Sequence, residues 1–160
     1  MKYLPLVAVL IGTPVVADTT IAQDKVLVLA CLENMEQGST TWPQCVELMF
    51  QPCVSHEVGT DAHVTCLGGM REEWSGTVQT LQTHVIEAVT SGGAFELLDL
   101  MGQWTGYVAQ KCQEVASTKP TGAESARLGC EVSEFAGLSS EFAACLDGRS
   151  AAGYCEFKEQ

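Results

Sequence analysis

The chain has 160 residues, with eight Lys and Arg against twenty Asp and Glu, for a formal net charge of −12 at pH 7. So acidic a balance repels phosphate backbones and argues against a nucleic-acid partner. Eight cysteines, an even number in so short a chain, point to disulfides formed in an oxidising compartment rather than to metal sites or catalytic thiols.

Residues 1–17, MKYLPLVAVLIGTPVVA, carry the marks of a secretory signal peptide. Lys2 supplies the positive start, Tyr3 to Ile11 an apolar core, and Val15-Val16-Ala17 a small-residue cleavage site. The apolar run is too short to span a bilayer, which argues against an anchor. Val28-Leu29-Ala30-Cys31 loosely resembles a lipidation box, but Asp24-Lys25 separates its short apolar run from the first one, and the lipoprotein reading is set aside. Cleavage after Ala17 predicts a mature chain of residues 18–160, a single domain in the periplasm or secreted, with no membrane attachment. Losing Lys2 leaves seven basic residues against twenty acidic, a charge of −13. That surface either keeps an exported protein soluble or suits a basic partner.

Asp18 to Asp24 reads as a polar lead. Lys25 to Glu36 predicts a first helix, although its first five residues also suit a strand, and Gly38-Ser39-Thr40 breaks it. Thr41-Trp42-Pro43-Gln44 opens a short helix, with Thr41 as cap, Pro43 in the first turn and Gln44 placed for a capping box. That helix carries Cys45 and Leu48 and stops near Pro52-Cys53, where the polar connection Val54 to Asp61 begins.

A long helix follows, starting near Thr60 or after Gly68-Gly69. Its inward face is Leu67, Met70, Trp74, Val78, Leu81, Val85 and Ala88, at steps of three and four. Ser91-Gly92-Gly93 ends it and starts the next helix, Ala94 to Ser117. There Leu97, Met101, Trp104, Val108, Cys112 and Val115 make one face. Gly102 and Gly106, four apart, mark either a close approach of another backbone or simple tolerance in a packed helix. After the polar loop STKPTGAES, Thr121-Gly122-Ala123-Glu124 fits a capping box for a third long helix. Its inward residues are Leu128, Val132, Phe135, Leu138, Phe142 and Cys145; Asp147-Gly148 ends it and Ser150 to Gln160 is a tail. Period-2 runs are absent. The expected fold is all-α, with three longer helices and one or two short N-terminal ones, centred on the last two long helices.

Chemistry-bearing patterns are sparse. There is no G-x-S-x-G, and every cysteine has a structural partner to take, so neither catalytic nor cofactor-binding residues are assigned and no enzyme is expected. His56-Glu57 with Asp61 and His63 imitates a metal site, but the spacing matches no zinc pattern. Glu72-Glu73 and the Glu131, Glu134, Glu141 stripe read as solvated acidic faces. Trp74 and Trp104 fall on inward stripes and are expected in the core.

Cys66-x7-Trp74, then QWTGYVAQKC ending at Cys112, then Cys130 after a glycine-containing loop, resemble the LprI-like lysozyme inhibitor family of exported bacterial proteins. In that family's pattern Q-x-x-W-x-x-[YF]-R-D-x-x-C, Trp104, Tyr107 and Cys112 take the W, aromatic and C positions. The resemblance covers residues 53–146 and places Tyr107 with Trp74 and Trp104 among the core aromatics. The Gln, Arg and Asp positions hold Met101, Val108 and Ala109, and Trp-Asp-x-x-Leu-Asn appears as Trp74-Ser75-Gly76-Thr77-Val78-Gln79. Replacing a buried Arg–Asp pair by Val and Ala leaves an apolar contact, so the scaffold is expected to survive.

Eight cysteines allow 105 pairings on sequence alone. The resemblance implies Cys53–Cys66 and Cys112–Cys130, with Cys145–Cys155 as an addition and Cys31–Cys45 as the remainder. It also implies a function: a non-enzymatic binding protein that occludes lysozyme, a strongly basic enzyme. The alternative is a divergent envelope protein that keeps the scaffold and binds something else or serves a structural role. The connections Val54–Asp61 and Ser117–Ser125 are the loops long enough to fill a cleft.

Overall fold

Two threonines set the starts of the longest helices. Thr60 Oγ1 accepts the His63 N–H at 3.3 Å and opens α3, Asp61–Ala88; Thr90 Oγ1 accepts the Gly93 N–H at 3.2 Å and opens α4, Ser91–Ser117. Each threonine satisfies one of the amides that a helix start leaves unpaired. The structure, a computed structural model, describes residues 19–36 and 38–158. The leader expected over residues 1–17 lies outside them. Two helices precede α3, α1 at Thr19–Glu36 and α2 at Trp42–Phe50, and a 3₁₀ turn at Gln51–Cys53 follows α2. After α4 come α5 at Ala123–Leu146 and a second 3₁₀ turn at Gly153–Cys155. The described residues form no strand; one isolated antiparallel bridge joins Val89 and Phe157.

The result is an all-α, disulfide-stapled bundle. The four bridges are Cys31–Cys45, Cys53–Cys66, Cys112–Cys130 and Cys145–Cys155, the pairing that the resemblance implies. At α2 the Gln44 Oε1 accepts the Thr41 N–H at 2.8 Å, so that end forms as expected. α3 starts at the earlier of its two possible points and carries Gly68 and Gly69 in its interior. Leu67, Met70, Trp74, Val78 and Val85 are buried, with Leu81 and Ala88 at the margin.

Several expectations are corrected. The polar lead from Thr19 is already helical, as are the first residues of Lys25–Glu36 that also suited a strand. In α2 the buried pair is Cys45 and Met49, while Leu48 is half-buried. Of the two helices expected at the centre, α5 alone holds that place, because α3 and α4 both pack on it and touch each other little. Consequently α4 buries Gly93, Leu97, Val108, Cys112 and Ala116, and Val115 stays exposed. Steps of four lean across a helix axis, and the buried row follows the crossing partner rather than an ideal straight stripe. The capping box at Thr121 does not form: Gly122 is the residue before α5, at φ 73°, with no side-chain cap.

The C-terminal segment is not a free tail. Cys145–Cys155 folds it back over the α3–α4 turn, where the Thr90 N–H donates to the Glu156 carbonyl at 2.8 Å and Tyr154 is buried. Two core clusters result. One joins α1, α2, the first half of α3 and α5 around Leu32, Met49, Leu67, Trp74 and Val132. The other joins the far ends of α3, α4 and α5 around Val85, Leu97, Phe142 and Tyr154.

Candidate functional site

The two polar connections singled out by sequence meet at one end of the bundle. α3 leaves that end, α4 returns to it and α5 leaves it again, so the 54–60 loop and the 118–122 loop lie side by side. Their contact is backbone on backbone. A Cβ on Gly59 would sit 3.2 Å from the Gly122 Cα, and both glycines have positive φ, 88° and 73°. Residues with side chains resist that conformation, and a Cβ on Gly59 would press on the Gly122 backbone, whereas one on Gly122 would make ordinary contacts from 3.5 Å. The Gly59 N–H donates to Ser125 Oγ at 3.2 Å, and the same hydroxyl shares a 3.0 Å hydrogen bond with His63 Nδ1. Ser125 itself is buried in the first turn of α5.

Disulfides flank both loops: Cys53–Cys66 brackets the first, and Cys112–Cys130 ties the helices on either side of the second. The first loop also closes on itself, with Thr60 Oγ1 donating to the Glu57 carbonyl at 2.7 Å. At its surface Val54 and Val58 are 70% and 71% exposed. An apolar hollow of about 450 Å³ lies against them, lined by Val46, Phe50, Leu67 and His63. The charges along the two loops and the turns beside them are Glu57, Asp61 and Glu124, with Lys119 and Arg127 of opposite sign. Arg127 holds the Glu124 carboxyl below its usual range through a hydrogen bond, and Glu124 in turn raises the Arg127 guanidinium. Among the described residues no three His, Cys, Asp or Glu side chains gather to hold a metal ion, and His63 is engaged by Ser125.

A second concavity lies between α3 and α4 with α5 as its floor. It encloses about 510 Å³, and its apolar surface comes from Val78, Met101, Trp104, Val108 and Phe135. Trp104 meets Phe135 edge-on with ring centroids 5.4 Å apart, half-buried rather than fully in the core. Seven positions of the family pattern line this one groove: Ser75, Val78 and Gln79 from α3, and Met101, Trp104, Val108 and Ala109 from α4.

Of the three expected core aromatics only Trp74 is fully buried. Tyr107 is 59% exposed and carries Lys111 Nζ 5.7 Å from its ring centre, because it points away from the face that α4 turns to α5. A Cβ at Gly102 or Gly106 would meet nothing within 4 Å, so no backbone approaches there and helix tolerance is the right account.

The acidic stripe on α5 is not a solvated face either. Glu131 is 8% exposed and bonded by Arg71 Nε at 3.0 Å and by Arg127. Glu134 accepts from Lys111 Nζ at 2.6 Å, a bond that raises the lysine pKa; Glu141 alone of the three is exposed. The i, i+4 spacing of Arg127 and Glu131 signals their pairing in sequence. Arg71 and Lys111 reach α5 from other helices, and Ser125 meets Gly59 across the chain; no local pattern marks these three.

No family model, no curated protein and no solved structure matches the chain. The likeness to LprI-like inhibitors therefore stands on the quoted residues. Among the described residues no helix is long and apolar enough to cross a membrane.

Proposed function

We propose that this chain is an exported, non-enzymatic binding protein whose paired-loop apex fills a cleft on a basic partner. Lysozyme is the partner that the resemblance names. The observation that carries this reading is the apex itself: two loops locked together by a glycine–glycine contact and flanked by two disulfides, with Val54 and Val58 outward. Such a loop loses little conformational freedom on binding, and two exposed apolar side chains supply the anchor that a cleft can desolvate. The net charge of −12 attracts a basic partner over distance and speeds encounter, a contribution that salt screens.

The test is inhibition of chicken-type, goose-type and invertebrate-type lysozymes by the mature protein at low and physiological salt. Cleft filling predicts tight inhibition that survives salt while the association rate falls. Because the loops support each other, Val58→Asp and Gly122→Val should each weaken inhibition at least tenfold. Undetectable inhibition of all three enzymes at micromolar protein sinks the lysozyme reading.

One observation favours a second reading, a divergent envelope protein that keeps the scaffold for another ligand or a structural role. The Gln, Arg and Asp of the family pattern are replaced by Met101, Val108 and Ala109, and all three substitutions line the same groove. Capture of a different envelope protein by the mature chain, abolished by Val58→Asp, would retain the apex and change the partner.

A further inference from the structure

We propose that the groove between α3 and α4 is a second binding site, separate from the apex, for a small amphiphile with an apolar body and a carboxylate head. Its volume of about 510 Å³ lies within the range of small-molecule sites, about 300–1,000 Å³. The walls and floor, with Val78, Met101, Trp104, Val108 and Phe135, give an apolar body a continuous surface to bury.

The head group is identified by Arg71. Its Nε is committed to Glu131 at 3.0 Å and its guanidinium lies over the Phe135 ring, 5.6 Å from the centroid, which holds it in one orientation. Its two terminal nitrogens have no acceptor among the described residues, and the side chain is 43% exposed where it lines the groove. A fixed guanidinium with a free pair of N–H donors is the geometry that carboxylates match in two parallel bonds. Glu131 is the single carboxylate lining the groove and is already shared between Arg71 and Arg127, so it does not bar an incoming anion. A cationic head would have to face Arg71 itself.

Titration calorimetry of the mature, oxidised chain with decanoate, decanol and decyltrimethylammonium, below their micellar concentrations, tests the assignment. Decanoate is expected to bind at one site, and Arg71→Gln to weaken it about ten- to a hundredfold, the worth of a charge-assisted hydrogen bond. Glu131 keeps Arg127 in that variant. Gly102→Leu fills the groove from a lining position where a Cβ meets nothing within 4 Å, and should abolish binding without lowering the melting temperature. Absence of decanoate binding, equal binding of decanol or the cation, or full binding by Gly102→Leu would each overturn the proposal. If Arg71→Gln does not fold, Gly102→Leu together with the head-group comparison decides it.

Discussion

The two ends of the bundle are closed by the same means and bury different amounts of side chain. At the apex, Gly59 abuts Gly122 and disulfides flank both loops. At the far end, Gly93 lies so close to the Tyr154 carbonyl that a Cβ would approach it to 2.8 Å, and Cys145–Cys155 holds the segment down. The far end seats Val89 and Tyr154 in the core while Phe95 and Phe157 stay 77% and 39% exposed, whereas the apex meets backbone on backbone and turns Val54 and Val58 to solvent. Exposed apolar side chains therefore mark both ends, and what sets the apex apart is that its two loops meet through backbone alone.

Removing the disulfides breaks this comparison most strongly. The Cys112–Cys130 loop spans 18 positions and the Cys145–Cys155 loop 10, and the chain-entropy model assigns both about 3 kcal/mol, with about 0.5 kcal/mol between them. Cys112→Ser with Cys130→Ser should therefore lower stability by about 2–5 kcal/mol in urea melts. Cys145→Ser with Cys155→Ser should lower it similarly and also free the far end. Hydrogen exchange at the Thr90 amide, bonded to Glu156, should accelerate in the second variant before global unfolding, and not in the first. Equal protection in both variants would mean that the far end holds without its bridge.

Gly59→Ala sharpens the apex side. A left-handed backbone costs a residue with a side chain about 1–2 kcal/mol, and the new methyl group adds a 3.2 Å contact with Gly122. Gly148, at φ 68° with nothing within 4 Å, is the control for backbone strain alone. Gly148→Ala should cost less, and the difference in denaturation free energy measures the loop–loop contact.

The far end offers a change in the opposite direction. The Tyr154 hydroxyl is buried with no hydrogen-bond partner among the described residues, and burial pushes its pKa up. An unsatisfied buried polar group costs about 1–3 kcal/mol, so Tyr154→Phe should raise stability by about 1 kcal/mol. A loss of stability in a thermal melt would place an acceptor or water on that hydroxyl.

The smallest effect is one of pH. The folded-state pKa of Glu124 is lowered by Arg127, so the contribution of the pair is present above the ordinary carboxyl value, 4.5, and lost as pH falls through the folded value. Glu124 is half exposed, which limits the pair to about 0.3–0.5 kcal/mol. The stability gap between the protein and Glu124→Gln should hold above pH 4.5 and shrink toward zero as the pH falls through the lowered folded value.

Local patterns determined much of this architecture. The steps of three and four from Leu67 to Val85 place the buried face of α3 because a helix repeats every 3.6 residues wherever it packs. Gln44 reaches back to the Thr41 amide because the capping geometry needs only four consecutive residues. The disulfide pairing came from the resemblance, since spacing alone leaves many closures open. Tertiary structure decided what no short window contains. It chose α5 as the central helix, turned Tyr107 outward and drew Glu131 inward to Arg71. It also set Gly59 against Gly122, 63 positions apart in sequence, and so made one apex of two loops. Helix faces, caps and breaks are short-range properties, whereas the partner of each face and the meeting of distant loops follow from how whole helices cross.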